Sequence, residues 1–168
     1  GFSVGRMSYA KPTITAITSC VDVPCGGGSN VYITGTNFGA VGSYNLVKGS
    51  YSNSYCFDSV TCTVITPHTV LKCVTGPGYG SNVHWYVTVG AQVSNTFTDS
   101  CAYAPPAISK ITAPLLNTWG GDKFIIEGSN FGDVATRIHV TYGATGYEMT
   151  ASCVILTSQK KLECTSIA

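Results

Sequence analysis

Apolar and polar residues alternate in steps of two through the stretches that dominate the chain. At residues 31–34 the order Val31, Tyr32, Ile33, Thr34 puts Val31 and Ile33 on one face of a strand and Tyr32 and Thr34 on the other. That period predicts half-buried antiparallel strands. The alternation then breaks at Gly35, Thr36, Asn37, Phe38, Gly39. Gly35 and Asn37 tolerate positive φ, so the strand is expected to end in a sharp turn with Phe38 folded back beneath it as a core plug. The same order returns at Phe124, Ile125, Ile126, Glu127 and is closed by Gly128, Ser129, Asn130, Phe131, Gly132. Each copy is preceded by a glycine pair, Gly27 and Gly28 or Gly120 and Gly121. Farther upstream each has a proline-opened strand, at residues 12–17 and 106–111. Corresponding positions lie 93 or 94 residues apart, so the chain reads as tandem modules.

A Pro-x-Ile-x-x-Ile opening, a glycine pair and an Ile-x-Gly-x-Asn-Phe-Gly turn together resemble the IPT/TIG family of immunoglobulin-like domains. Leu71, Lys72, Cys73, Val74, Thr75, Gly76, Pro77, Gly78 are similar to the family's Cys-x-x-Pro-Pro-Gly segment, and the strands near Trp85 and at residues 97–103 follow in the family's order. The resemblance covers nearly the whole chain. It implies an all-β fold of tandem immunoglobulin-like (IPT/TIG) β-sandwiches. Such domains occur in plexins, the hepatocyte growth factor receptor, Rel-type transcription factors and cell-surface proteins of amoebae and algae.

The division expected is residues 1–10 as an orphan closing strand, 11–104 as a complete IPT/TIG-like domain and 105–168 as a second one lacking its last strands. Residues 1–10 parallel residues 97–104, which close the first module, and Pro105 and Pro106 form a short stiff junction. Two explanations compete. In one, Phe2, Val4, Met7 and Tyr9 form an inter-subunit strand that completes the second module of a neighbouring copy. In the other, the chain is a window on a longer array. The donated strand leaves the counterpart of residues 84–92 unsupplied.

Charge and composition narrow the function. Charged residues make up 10%, net charge is +1 and Lys160–Lys161 is the one adjacent basic pair, which argues against nucleic acid as a partner. No apolar run reaches membrane-spanning length and no charged-then-apolar leader opens the chain. Ser and Thr take the place of charges, as in extracellular β-proteins, and offer positions for O-linked glycans; no Asn-x-Ser/Thr sequon occurs.

Eight cysteines point to an oxidising compartment. Cys62 and Cys73 are eleven apart, as are Cys153 and Cys164 at matching positions, so each pair is expected to bridge a hairpin. Cys20 and Cys25 align with Pro114 and Thr118; lost together, they are expected to staple one loop. Cys56 aligns near Tyr147 and Cys101 near Met7, leaving Cys56–Cys101 as the fourth bond. Zinc is disfavoured, because Cys20-x4-Cys25 has no second pair or histidine at finger spacing.

No cofactor, metal or catalytic group is expected. His68, His84 and His139 are scattered, and the eight acids stand singly. Asp122 and Asp133 bracket a glycine-rich stretch, but calcium wants three or more converging ligands. Among the aromatics, Tyr44, Tyr51, Tyr55, Tyr79, Trp85, Tyr86 and Trp119 are candidates for protein or sugar contact or for packing, with Trp119 expected to wedge between modules. The resulting expectation is an extracellular or cell-surface structural or adhesive unit, not an enzyme, whose partners are copies of itself or adjacent modules of an array. The alternatives are an ectodomain fragment of a plexin-like or amoeboid recognition receptor and, more distantly, a non-catalytic module of a carbohydrate-active enzyme.

Overall fold

The computed structural model describes residues 8–42, 47–52 and 57–168, all in strands, turns and loops apart from one 3-10 turn at Ala135–Arg137. Among these residues no helix is long and apolar enough to cross a membrane. Phe2, Val4 and Met7 of the expected inter-subunit strand lie outside the described residues, as do Tyr44, Tyr55 and Cys56.

The first repeat supplies β1 (Thr13–Thr18), β2 (Asn30–Thr36), β3 (Val47–Ser52), β4 (Phe57–Thr66), β5 (Val70–Val74), β6 (Val83–Val89), β7 (Gln92–Val93) and β8 (Phe97–Cys101). Their order is β1-β2-β5-β4-β3-β6-β7, with β8 also on β6. The long β4 joins the two layers. Its first half pairs with β3, from Phe57↔Ser52 to Thr61↔Lys48, and its second half pairs with β5, beginning at Cys62↔Cys73. Alternation then places one face of each layer inward: Val31 and Ile33 from β2, Leu71 and Cys73 from β5, and Val83, Trp85 and Val87 from β6 are all buried. Two antiparallel layers closing on one apolar core is the sandwich arrangement that period-two sequences favour.

The second repeat supplies β9 (Ala107–Thr112), β10 (Lys123–Ser129), β11 (Val140–Tyr142), β12 (Met149–Thr157) and β13 (Lys161–Thr165), in the order β11-β12-β13-β10-β9. β12 is shared as β4 is, pairing with β11 at Met149 to Ala151 and with β13 from Ser152 onward. One layer is therefore the same as in the first repeat, whereas among the described residues the other consists of β11 alone. Phe124, Ile126, Phe131, Leu162 and Cys164 form its smaller core.

The repeated turn is built alike in both. Asn37 and Asn130 take φ of 62° and 59°. Gly35 N–H donates to Thr69 O and Gly128 N–H to Lys160 O, both at 2.9 Å. The Asn37 amide donates to Lys11 O at 2.9 Å and the Asn130 amide to Pro105 O at 3.2 Å, so each turn ties down the segment entering its own repeat. Phe38 and Phe131 are buried beneath. Gly35 and Gly128 have no room for a side chain, because a Cβ there would overlap the carbonyl of Thr13 or Ala107 and the ring of the buried Phe.

Cys62–Cys73 and Cys153–Cys164 join residues directly opposite on paired strands, in the pairing the shared spacing predicts. The other two expected bonds are corrected. Cys20 is bonded to Cys101, 81 residues away, and neither to Cys25 nor, for Cys101, to Cys56. Cys25 is a buried free thiol. The shared absence of Cys20 and Cys25 from the second repeat does not reflect local pairing: the partner of Cys20 stands at the end of β8, a strand without a counterpart in residues 106–168.

Candidate assembly surface

The site is best seen by asking what covers each surface of the first repeat and what becomes of the same surface in the second. In the first repeat Ile14 of β1 is buried at 3% exposure. Asn95, in the segment between β7 and β8, spans its backbone: Ile14 N–H donates to Asn95 Oδ1 at 2.8 Å and Asn95 Nδ2 donates to Ile14 O at 3.1 Å. The counterpart of Ile14 is Ile108 of β9, which is 59% exposed. Every residue of β9 is exposed, including Ile111, whose counterpart Ile17 packs on the first core.

The loop after the first strand is anchored differently in the two repeats. In the first repeat it lies parallel to the segment that follows β8: Ala102 N–H donates to Cys20 O, Val23 N–H to Ala102 O and Ala104 N–H to Val23 O, at 2.9, 3.1 and 2.8 Å. The Cys20–Cys101 bond locks this crossing and Val23, Cys25 and Tyr103 are buried around it. The Tyr103 hydroxyl donates to Gly76 O at 3.0 Å, with its ring against Gly78. Burial holds the Cys25 thiol above its usual pKa, with the Asp133 carboxylate adding to the effect. In the second repeat the loop presents Leu115 at 97% and Trp119 at 90% exposure. It is held from within instead, since the Asp122 carboxylate accepts from both the backbone and the side-chain amide of Asn117.

Trp119 is therefore not wedged between the repeats, which corrects that expectation. The aromatic at the junction is Tyr79, over whose ring the Arg137 guanidinium lies at 5.0 Å. Beside that pair runs a groove of about 520 Å³, with Ile108, Ile126, Val140 and Leu162 in its wall. Trp85 is a core residue. An exposed Trp119 predicts red-shifted, water-like indole emission and ready acrylamide quenching in protein where Trp85 is replaced by Phe. Protection from quencher at concentrations that keep the protein monomeric is the result that contradicts it.

The last difference is a strand edge. β3 is paired on both sides, with β4 and, over Val47↔Val89 to Ser52↔His84, with β6. Its counterpart β11 is paired with β12 and ends the sheet. Tyr142 at the end of β11 partly closes the gap, meeting Phe124 edge-on at 5.7 Å and exchanging hydrogen bonds with Ile167 N–H and O through its hydroxyl.

Among the described residues no further cluster of polar side chains marks a reactive site. His68 sits in the β4–β5 turn at φ 62°, and His139 is exposed beside Thr150. Among the described residues no His, Cys, Asp and Glu gather in a group able to hold a metal ion. Lys161 holds the Glu127 carboxyl below the usual carboxylate range through a hydrogen bond and its charge, a solvent-facing pair across β10 and β13. The exposed apolar positions were individually visible in the sequence. That Ile108 and Ile111 share an uncovered face follows only from knowing that Asn95, β6 and β8 pack along β1 in the first repeat.

Comparison with known proteins gives one family. The IPT/TIG domain model matches residues 12–104. No curated protein matches the chain. Among solved structures, two of the plexin A4 full extracellular region align: one with domains 1 to 8, at 16% identity and TM-score 0.44, over 94% of this chain and 15% of that one; the other with domains 1 to 10, at 18% identity and TM-score 0.41, over 93% of this chain and 13% of that one. The chain thus spans less than a sixth of either plexin chain it aligns with.

Proposed function

We propose that this chain, which belongs to the IPT/TIG family of immunoglobulin-like domains, is an extracellular structural or adhesive unit whose copies join head to tail in a filament or long array. The observation that carries the reading is the uncovered flank of the second repeat: Ile108 is 59% exposed where Ile14 is 3% exposed. A sheet edge and apolar face of this kind favour pairing with an arriving strand. Residues 1–10, from their likeness to the closing segment 97–104, are the strand assigned to it. A contact between two different surfaces, when it does not close into a ring, propagates a filament.

Three disulfides among the described residues support an oxidising, extracellular setting. The role requires no reactive group. It also accommodates O-linked glycans on a surface rich in Ser and Thr.

Deleting residues 1–10 tests the reading. Light scattering and electron microscopy are expected to find polymers for the full chain and monomers for the truncated one; polymers that persist unchanged after truncation refute it. A second reading, a recognition ectodomain, is favoured by Leu115 and Trp119 standing exposed on one loop. It requires the full chain to stay monomeric and to bind a partner saturably through that loop.

A further inference from the structure

We propose that residues 2–10 of one copy lie along the loop at residues 113–119 and the outer flank of β9 in another, in the register that sets Met7 beside Pro114 and buries the Tyr9 ring next to Ile167. This inference rests on the head-to-tail reading and adds to it the identity, register and chemistry of the occupant.

The first repeat is the template. There, residues 101–104 run parallel to the loop at residues 20–23, fixed by three backbone hydrogen bonds and the Cys20–Cys101 bond. Aligning Tyr9, Ala10 and Pro12 with Tyr103, Ala104 and Pro106 sets Met7 at the position of Cys101. Independently, the alignment of the first strands sets Pro114 at the position of Cys20. The two halves of the disulfide are thus replaced together, one in the second repeat and one in the segment proposed to close it. A cysteine kept on one side alone would leave a reactive thiol facing a residue unable to bond it. Proline at 114 lacks an N–H but keeps its carbonyl, the group through which Cys20 accepts from Ala102. The counterpart donor is the N–H of Ser8.

Both partners show complementary apolar exposure. Tyr9 is 94% exposed although its counterpart Tyr103 is 6% exposed, and Gln92 Nε2 of the same chain donates to Ser8 Oγ and Tyr9 O. Ile108 and Ile111 of β9 are exposed where Ile14 is buried and Ile17 packs on the core. Ile167 occupies the position of Gly76, whose carbonyl accepts from the Tyr103 hydroxyl. Ile167 O already accepts from Tyr142, and a carbonyl oxygen has a second lone pair for Tyr9. The junction this produces has the same register as the intramolecular one but no covalent lock, so copies can be exchanged.

The test is a chain carrying Met7→Cys and Pro114→Cys, assembled and mildly oxidised. Non-reducing electrophoresis is expected to show a ladder of covalent multimers that collapses on reduction, while either single variant runs as monomer. Polymers in the electron microscope without a ladder refute the register and leave strand donation standing. Neither polymers nor ladder refutes head-to-tail joining as well. A monomer linked within one chain shows that the closing contact is internal and overturns the proposal. One measurement does not depend on the cysteine variants folding. Tyr9→Ser raises the concentration for half-assembly about tenfold or more, as loss of a buried aromatic anchor does. An unchanged assembly concentration counts against the register.

Discussion

Replacing Cys20 and Cys101 by alanine is expected to destabilise the first repeat more than replacing Cys62 and Cys73. The reason is the length of chain each bond closes: 81 residues against 11. Chain-entropy reasoning gives about 4.5 kcal/mol for the long loop and about 3 kcal/mol for the short one. For a domain near this size each kcal/mol shifts the melting midpoint by roughly 4–8 °C, so the two double variants separate by roughly 6–12 °C. Alanine rather than serine keeps the comparison free of a buried hydroxyl, since all four sulfurs lie in the core. Calorimetry ranks the variants, and peptide mapping of the unaltered protein reports the bond itself. A Cys20–Cys25 peptide, or a larger loss from Cys62 and Cys73, contradicts this account.

That bond also marks how far the sequence could be read. The repeat, the turn and the two hairpin disulfides were legible because each is local. A period-two run, a Gly-x-Asn-Phe-Gly ending and an eleven-residue spacing all act within one pair of strands. The Cys20–Cys101 bond was not legible, because it joins two segments that only the closed sandwich brings together. Comparison of the repeats pointed the wrong way for the same reason, treating a loss caused by the absent partner strand as a sign of local pairing. The exposure of Trp119 was not legible either: its place before the glycine pair was clear, but nothing local fixes whether a side chain there is covered.

The exposed residues of the second repeat become coherent once they are read as one absence. Within residues 106–168 no segment takes the part of Asn95 over β9, none runs along the loop at residues 113–119 as residues 101–104 run along the loop at residues 20–23, and none pairs with β11 as β6 pairs with β3. Large apolar groups of this kind on one flank mark an interaction surface more readily than scattered single ones. Tyr142 limits the exposure without removing it: it keeps Phe124 buried, but it reaches neither Ile108 nor Ile111, which stay open.

The same local geometry in two settings yields the second large effect. Gly35→Ala and Gly128→Ala place a methyl group against equivalent atoms, a strand carbonyl and the buried Phe ring. The backbone must move in both cases, and the question is what resists it. β1 is held on its far side by Asn95 and by the burial of Ile14, so it cannot shift without breaking two hydrogen bonds and opening the core. Overpacking of this sort costs about 1–3 kcal/mol, and the lost hydrogen bonds add roughly 1 kcal/mol each, so Gly35→Ala is expected to lower the stability of the first repeat by about 3–5 kcal/mol. β9 has solvent on its far side and every residue exposed, so it can give way outward and Gly128→Ala is expected to cost about 1–2 kcal/mol. Urea titrations on monomeric protein lacking residues 1–10 provide the comparison. Trp85 fluorescence in a Trp119→Phe background follows the first repeat, and far-ultraviolet dichroism follows the whole. If copies assemble as proposed, a strand seated on β9 is expected to remove its freedom to move and to raise the cost of Gly128→Ala toward that of Gly35→Ala. Equal costs in the monomer remove the claim that β9 is unrestrained, and an unchanged Gly128→Ala cost on assembly removes the claim that assembly covers it.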